Sequence, residues 1–158
     1  MNKSILLREI IDRLSHDLNI IFTAAKSAHE ASTHEENVPD NKYDTLALEA
    51  SYVAQGQANR AAQLRDSIEI YRQLTADEKH AVIRLASLVN LEDEYGASKI
   101  LFIGPTEGGL KIKQDNNEIV VITPASPMGR CLLGRSVGDT VEIETGTCRT
   151  EYTIVEVD

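Results

Sequence analysis

The stretch from Thr33 to Asp44 reads THEENVPDNKYD, and it decides how the first half of the chain is built. Four carboxylates, Glu35, Glu36, Asp40 and Asp44, stand there against one base, Lys42. Pro39 lacks a backbone N–H, and Asn37, Asp40 and Asn41 bond readily to their own backbone, so the stretch favours a turn over a continuous helix. Both flanks have helical spacing. Upstream, Leu7, Ile11, Leu14, Leu18, Ile21, Ala25 and Ala28 recur at alternating steps of 4 and 3, a heptad seam. Downstream, Asn41 with Asp44 three residues on resembles a capping box and predicts a helix start at Asn41. This second helix runs through Leu46, Ala50, Val53, Gln57, Ala61, Leu64, Ile68 and Tyr71 toward Leu74. Its small residues Ala54, Gly56, Ala58, Ala61 and Ala62 predict close approach to the first helix, with Gly56 a local weak point. So short a connection permits only an antiparallel return. The expectation is a helical hairpin over residues 1–77, an antiparallel coiled coil roughly 45 Å long, with an acidic tip loop at 33–44.

Beyond the hairpin, Thr75 to Lys79 breaks the helical pattern and reads as a linker. From Val82 the run VIRLASLVNLED admits either a continued helix or a strand. Leu85, Ser87, Val89 and Leu91 alternate with more mixed neighbours, and the Val and Ile content leans toward a strand. Further strands are expected at Lys99–Ile103, Gly109–Lys113, Ile119–Ile122, Thr140–Glu144 and Glu151–Glu156. Turn residues separate them at Tyr95-Gly96, Gly104-Pro105, Gly108-Gly109, Asp115–Asn117 and Gly146. One short helix interrupts them, with Ser126 as N-cap, Pro127 at its first position and Gly134 at its end. Residues 78–158 therefore read as a small, mostly antiparallel β domain with one short helix. The chain as a whole is α+β.

Composition narrows the function. With 42% hydrophobic residues but only 4% aromatic and no Trp, the 158 residues suit one ordinary domain or two small ones without an aromatic-filled core. The net charge of −9 argues against gripping nucleic acid unaided, since no basic patch is present to release counterions. It favours a protein partner with a basic surface, or a site that needs extra carboxylates. No apolar run approaches the length of a membrane span, and MNKSILLREIIDRL carries charges within its apolar stretch, so neither a signal peptide nor a membrane helix is expected. Cys131 and Cys148, without a CxxC, read as two reduced thiols of a cytoplasmic protein.

The run TPASPMGRCLLGRSVGDTV, Thr123–Val141, resembles the C-terminal signature of the bacterial Gre-type transcription elongation factors. That family carries Ser-Pro-x-Gly-Arg-Ala-Leu-Leu-Gly-Lys-x-x-Gly-Asp-x-Val. Ser126, Pro127, Gly129, Arg130, Leu132, Leu133, Gly134, Gly138, Asp139 and Val141 fall in matching places, with Cys131 for the Ala and Arg135 for the Lys. The stretches Ser87–Asp93 and Tyr152–Val157 are also similar, and an acidic-tipped hairpin stands in front of this domain in the family. The resemblance implies a C-terminal domain similar to FK506-binding proteins that docks on RNA polymerase at the rim of its secondary channel. Ser126, Pro127, Met128, Gly129, Arg130 and Arg135 are the implied partner-binding residues. It also implies that the coiled coil enters the channel, where tip carboxylates help to hold a second Mg²⁺ jointly with the polymerase. The polymerase's own centre then hydrolyses backtracked RNA, so the chain is at most a cofactor for that reaction. Nucleic acid is met only inside the polymerase complex, and no membrane is involved. Hard oxygen ligands and a two-metal cleavage fit such a role.

The tip departs from the family pattern. Cleaving members carry Asp-x-x-Glu-Asn followed by a Tyr, whereas here Asn37-Val38-Pro39-Asp40-Asn41 precedes Tyr43 with one residue fewer. The first acid is thus an amide. Asp40, with Glu36 or Asp44, is the set left for a catalytic and Mg²⁺-directed role. Each also has an ordinary reading: Asp40 and Asp44 as helix caps, and Glu35 and Glu36 as a solvated turn. His29 and His34 stand five residues apart, about 140° around a helix, which is poor geometry for a shared metal. Gly104–Gly109 reads as a hairpin turn and Ser126 as a cap. Three function classes follow: a cleavage factor, a non-catalytic channel binder that modulates transcription without hydrolysis, and a prolyl isomerase by fold analogy alone. The last needs an aromatic-lined pocket, and residues 81–158 hold only Tyr95, Phe102 and Tyr152.

Overall fold

Asn2 starts the first helix: its side-chain Oδ1 accepts the N–H groups of Ser4 at 3.0 Å and Ile5 at 3.2 Å, two of the donors a helix start leaves free. The computed structural model describes residues 2–34, 45–75, 80–145 and 148–158, with side chains described throughout except at 29–34, 45–50, 145 and 148. Helix α1 spans Lys3–His34 and α2 spans Thr45–Gln73. The expected start of α2 at Asn41, with its capping box, lies outside the described residues. So does most of the expected linker.

The chain divides into two compact units. The helical unit is Ile11–Glu69, and the sheet unit joins Met1–Ile10 to Ile70–Asp158. Within the helical unit Leu14, Ala61, Leu64, Ser67 and Ile68 are buried, and Ile11, Leu18 and Ile21 are partly buried. The Arg65 guanidinium lies 4.9 Å from the centre of the Phe22 ring, which ties α2 to α1 in the order a hairpin requires.

The heptad seam needs correction at both ends. In the sheet unit Leu6 and Ile10, which it omits, are fully buried alongside Leu7. In the helical unit Ala25 and Ala28 are exposed, and Val53 is 60% exposed. Of the small residues of α2 expected to bring the helices close, only Ala61 is buried. Ala54 and Ala58 are exposed, and a methyl group added at Gly56 would meet nothing within 4 Å. Alanine and glycine offer little area to bury, so this stretch has little to hold a partner helix against it.

The sheet unit carries six strands: β1 Leu88–Asp93, β2 Ser98–Ile103, β3 Lys111–Gln114, β4 Asn117–Ile122, β5 Thr140–Thr145 and β6 Cys148–Val157. Helix α3, Pro127–Leu132, lies between β4 and β5 in sequence. The sheet order is β3-β4-β2-β1-β6-β5, antiparallel except for the parallel pair β2 and β4. Val89, Leu91, Leu101, Ile103, Ile122, Val141, Ile143 and Ile154 of the sheet pack with Leu132 of α3 and Ile83 into one core.

Two strands begin later than their alternation predicts. Ala86 takes φ +66°, so the extended run starts only at Leu88. Gly109 takes φ +93° within a turn, so β3 starts at Lys111. At the β3–β4 turn Asp115 and Asn116 both have positive φ, 50° and 66°, which suits a tight hairpin.

Candidate functional site

The two candidate sites are the hairpin tip and the signature run. Glu36, Asp40 and Asp44 of the tip, together with Asn37, lie outside the described residues. Among the described residues no group of three or more His, Cys, Asp or Glu is placed to hold a metal ion.

The signature run is built around a serine. Ser126 holds φ −66° and ψ 153°, and its Oγ accepts the Gly129 N–H at 3.0 Å. The same hydroxyl donates to the Thr123 carbonyl at 2.7 Å, so donor and acceptor capacity are both used inside the turn. Gly129 is fixed by close approach: a Cβ there would overlap the Thr123 carbonyl oxygen, and no larger residue fits without moving backbone. Gly134 takes φ +81° beyond the helix and gives its N–H to the Ile83 carbonyl at 2.9 Å. Ile83 in turn donates to the Arg135 carbonyl at 2.8 Å. Asp139 closes the following turn, its Oδ2 accepting the Ser136 N–H at 2.8 Å. Leu132 and Val141 enter the core, with Met128, Cys131 and Leu133 packed partly against it.

Of the six residues expected to meet a partner, Ser126 and Gly129 thus have structural duties that account for them. Met128 is divided between core and surface. Pro127, Arg130 and Arg135 are exposed on the braced frame. Two shallow depressions of about 360 Å³ each lie beside α3 and share Cys131 and Glu142. One also takes in Arg135, Thr140, Val141 and Glu151, the other Pro127, Ile143, Glu144 and Arg149. Neither has an aromatic lining, so the hydrophobic slot a prolyl isomerase requires is not found in them.

The sequence reading missed a joint at the end of α2. Tyr71, 1% exposed, donates its hydroxyl to the Thr106 carbonyl at 2.8 Å. Burial holds its ionisation well above the ordinary tyrosine range, and the nearby charge of Glu107 adds to this. Gly104 leaves the space for that hydroxyl: a Cβ there would strike the Tyr71 oxygen and come within 2.7 Å of Val121 Cγ1. Tyr71 stood on the predicted α2 seam and Gly104 in a predicted turn. Their separation in sequence concealed the pairing.

The chain is similar to known proteins. Residues 78–158 match the family model described as "Transcription elongation factor, GreA/GreB, C-term". The chain is 32% identical over 120 residues to the transcription inhibitor protein Gfh1 of Thermus thermophilus, covering 73% of this chain and 72% of that one. It is 27% identical over 133 residues to the transcription elongation factor GreA of Thermomicrobium roseum, covering 84% and 80%. The crystal structure of Gfh1 from Thermus thermophilus aligns over 94% of both chains at 21% identity, with a TM-score of 0.40. The chain belongs to the GreA/GreB family of transcription elongation factors.

Proposed function

We propose that this chain binds RNA polymerase through its C-terminal domain, places its hairpin in the secondary channel and modulates transcription without efficient RNA cleavage. The observation that carries this reading is Asn37, an amide where the cleaving pattern has its first acid. An amide supplies no negative charge to favour a second Mg²⁺. A relative at 32% identity is named a transcription inhibitor protein, which supports a reading in which this chain modulates transcription. Exposed Pro127, Arg130 and Arg135 on a braced frame support docking through the signature face.

The second reading, stimulated cleavage, is favoured by Asp40-Asn41, which fits the family's Glu-Asn. In that case Asp40, helped by Glu36 or Asp44, supplies the oxygen ligands toward a Mg²⁺ shared with the polymerase. Docking is tested first. The full chain should bind purified polymerase, and the double charge reversal Arg130→Glu with Arg135→Glu should weaken binding about tenfold or more if these residues meet an acidic surface. Undiminished binding by a folded double variant would remove the signature face from the interface.

A further inference from the structure

Strands β3 and β5 are the two free edges of the sheet, and they differ. At the β3 edge Lys113 lies opposite Glu118 and Lys111 pairs with the same Glu118 at 2.9 Å, so opposite charges face one another. At the β5 edge Glu142 lies opposite Glu151, a like-charge pair that costs stability. Arg149, whose direct neighbour is Glu144, reaches diagonally to Glu142 instead. Glu144 and Glu151 are thereby left without a cation among the described residues.

The backbone of β5 is open as well. Ile154 donates to the Asp139 carbonyl at 2.9 Å, and the β5–β6 register then runs without a break from Thr140↔Thr153 to Thr145↔Cys148. Antiparallel alternation directs the N–H and C=O of Val141 and Ile143 at β6, and those of Thr140, Glu142 and Glu144 outward. Among the described residues none of these three outward positions has a backbone hydrogen bond to a turn, loop or cap. The two depressions beside α3 run along this same edge, with Pro127 and Cys131 on one bank and Glu142 on the other.

We infer that the β5 edge takes up an extended peptide segment as a seventh strand, apolar and basic at alternate positions. Side chains in register with Val141 and Ile143 enter the depressions beneath α3. Those in register with Glu142 and Glu144 lie on the opposite face and carry the cations that Glu144 and Glu151 lack. Pairing β5 with the β5 of a second copy is disfavoured, because it sets glutamates against glutamates. The inference goes beyond the polymerase reading and is tested without polymerase.

The probe is a fluorescent peptide of alternating lysine and valine, with an alternating glutamate and valine peptide as control, both added to the full chain. The lysine peptide should bind and shift the amide resonances of residues 140–144, and the glutamate peptide should not. Glu144→Pro removes an outward N–H while sparing the β6 ladder, so it should weaken binding about tenfold with little change in the unfolding temperature. Should that proline disturb the fold, Glu144→Lys with Glu151→Lys serves in its place and should transfer the preference to the glutamate peptide. Absence of binding, equal binding of both peptides, shifts elsewhere in the chain, or self-association through β5 would each overturn the inference.

Discussion

Gly129 and Gly56 show how differently the two units are held. A methyl group at Gly129 would run into the Thr123 carbonyl, whereas one at Gly56 would meet nothing within 4 Å. In the sheet unit, side chain, turn and backbone constrain one another, and at such a position almost every alternative residue is excluded. In the described part of the helical unit burial is confined to one end, where Leu14, Ala61, Leu64 and Ile68 lie. Farther along, Ile20, Phe22, Tyr52 and Val53 are exposed. The first unit is specified by packing, and the second mainly by helix propensity and a short seam.

That contrast is sharpened by substitution. Gly129→Ala should be the most damaging change, about 3 kcal/mol or more, because the obstruction is backbone and cannot swing aside. Chemical denaturation measures it, and a loss below about 1 kcal/mol would show that the frame yields. Leucine truncations grade the seam. Leu14→Ala, at 1% exposed, should cost about 3 kcal/mol, and the partly buried Leu18→Ala distinctly less. Equal costs would mean that the helical unit is closed as tightly at Leu18 as at Leu14.

Tyr71→Phe should cost about 1 kcal/mol, the net worth of its bond to Thr106. It also carries a pH signature. The folded chain keeps Tyr71 protonated above its ordinary range, so the stabilisation is complete below pH about 10 and is lost as pH rises beyond it. Tyrosinate absorbance should therefore show one tyrosine ionising only with unfolding, and Tyr71→Phe should remove that late step. The smallest effect has the opposite sign. Gly56→Ala should stabilise by about 0.8 kcal/mol, since the site is helical and open. A loss there would reveal a helix contact at Gly56.

The same contrast explains what could be read from residues alone. Ser126, Pro127 and Gly134 announced α3 and both its ends because capping is local chemistry. The β3–β4 turn was legible in Asp115 to Asn117 for the same reason. Leu6 and Ile10 escaped because a strict heptad looks for a partner helix, and these two are buried in the sheet unit. Tyr71 escaped because Thr106 is remote in sequence. At the tip, Asn37 and Asp40 were legible as a departure from a pattern, but a role completed by a partner cannot be read from one chain's residues.

The most direct test places the purified chain with stalled, backtracked polymerase carrying end-labelled RNA. The wild type should leave the labelled RNA essentially uncut while changing the rate at which the complex resumes synthesis, and Asn37→Asp should raise cleavage above it. Efficient cleavage by the wild type, abolished by Asp40→Asn with polymerase affinity unchanged, would contradict the account and establish the chain as a cleavage factor.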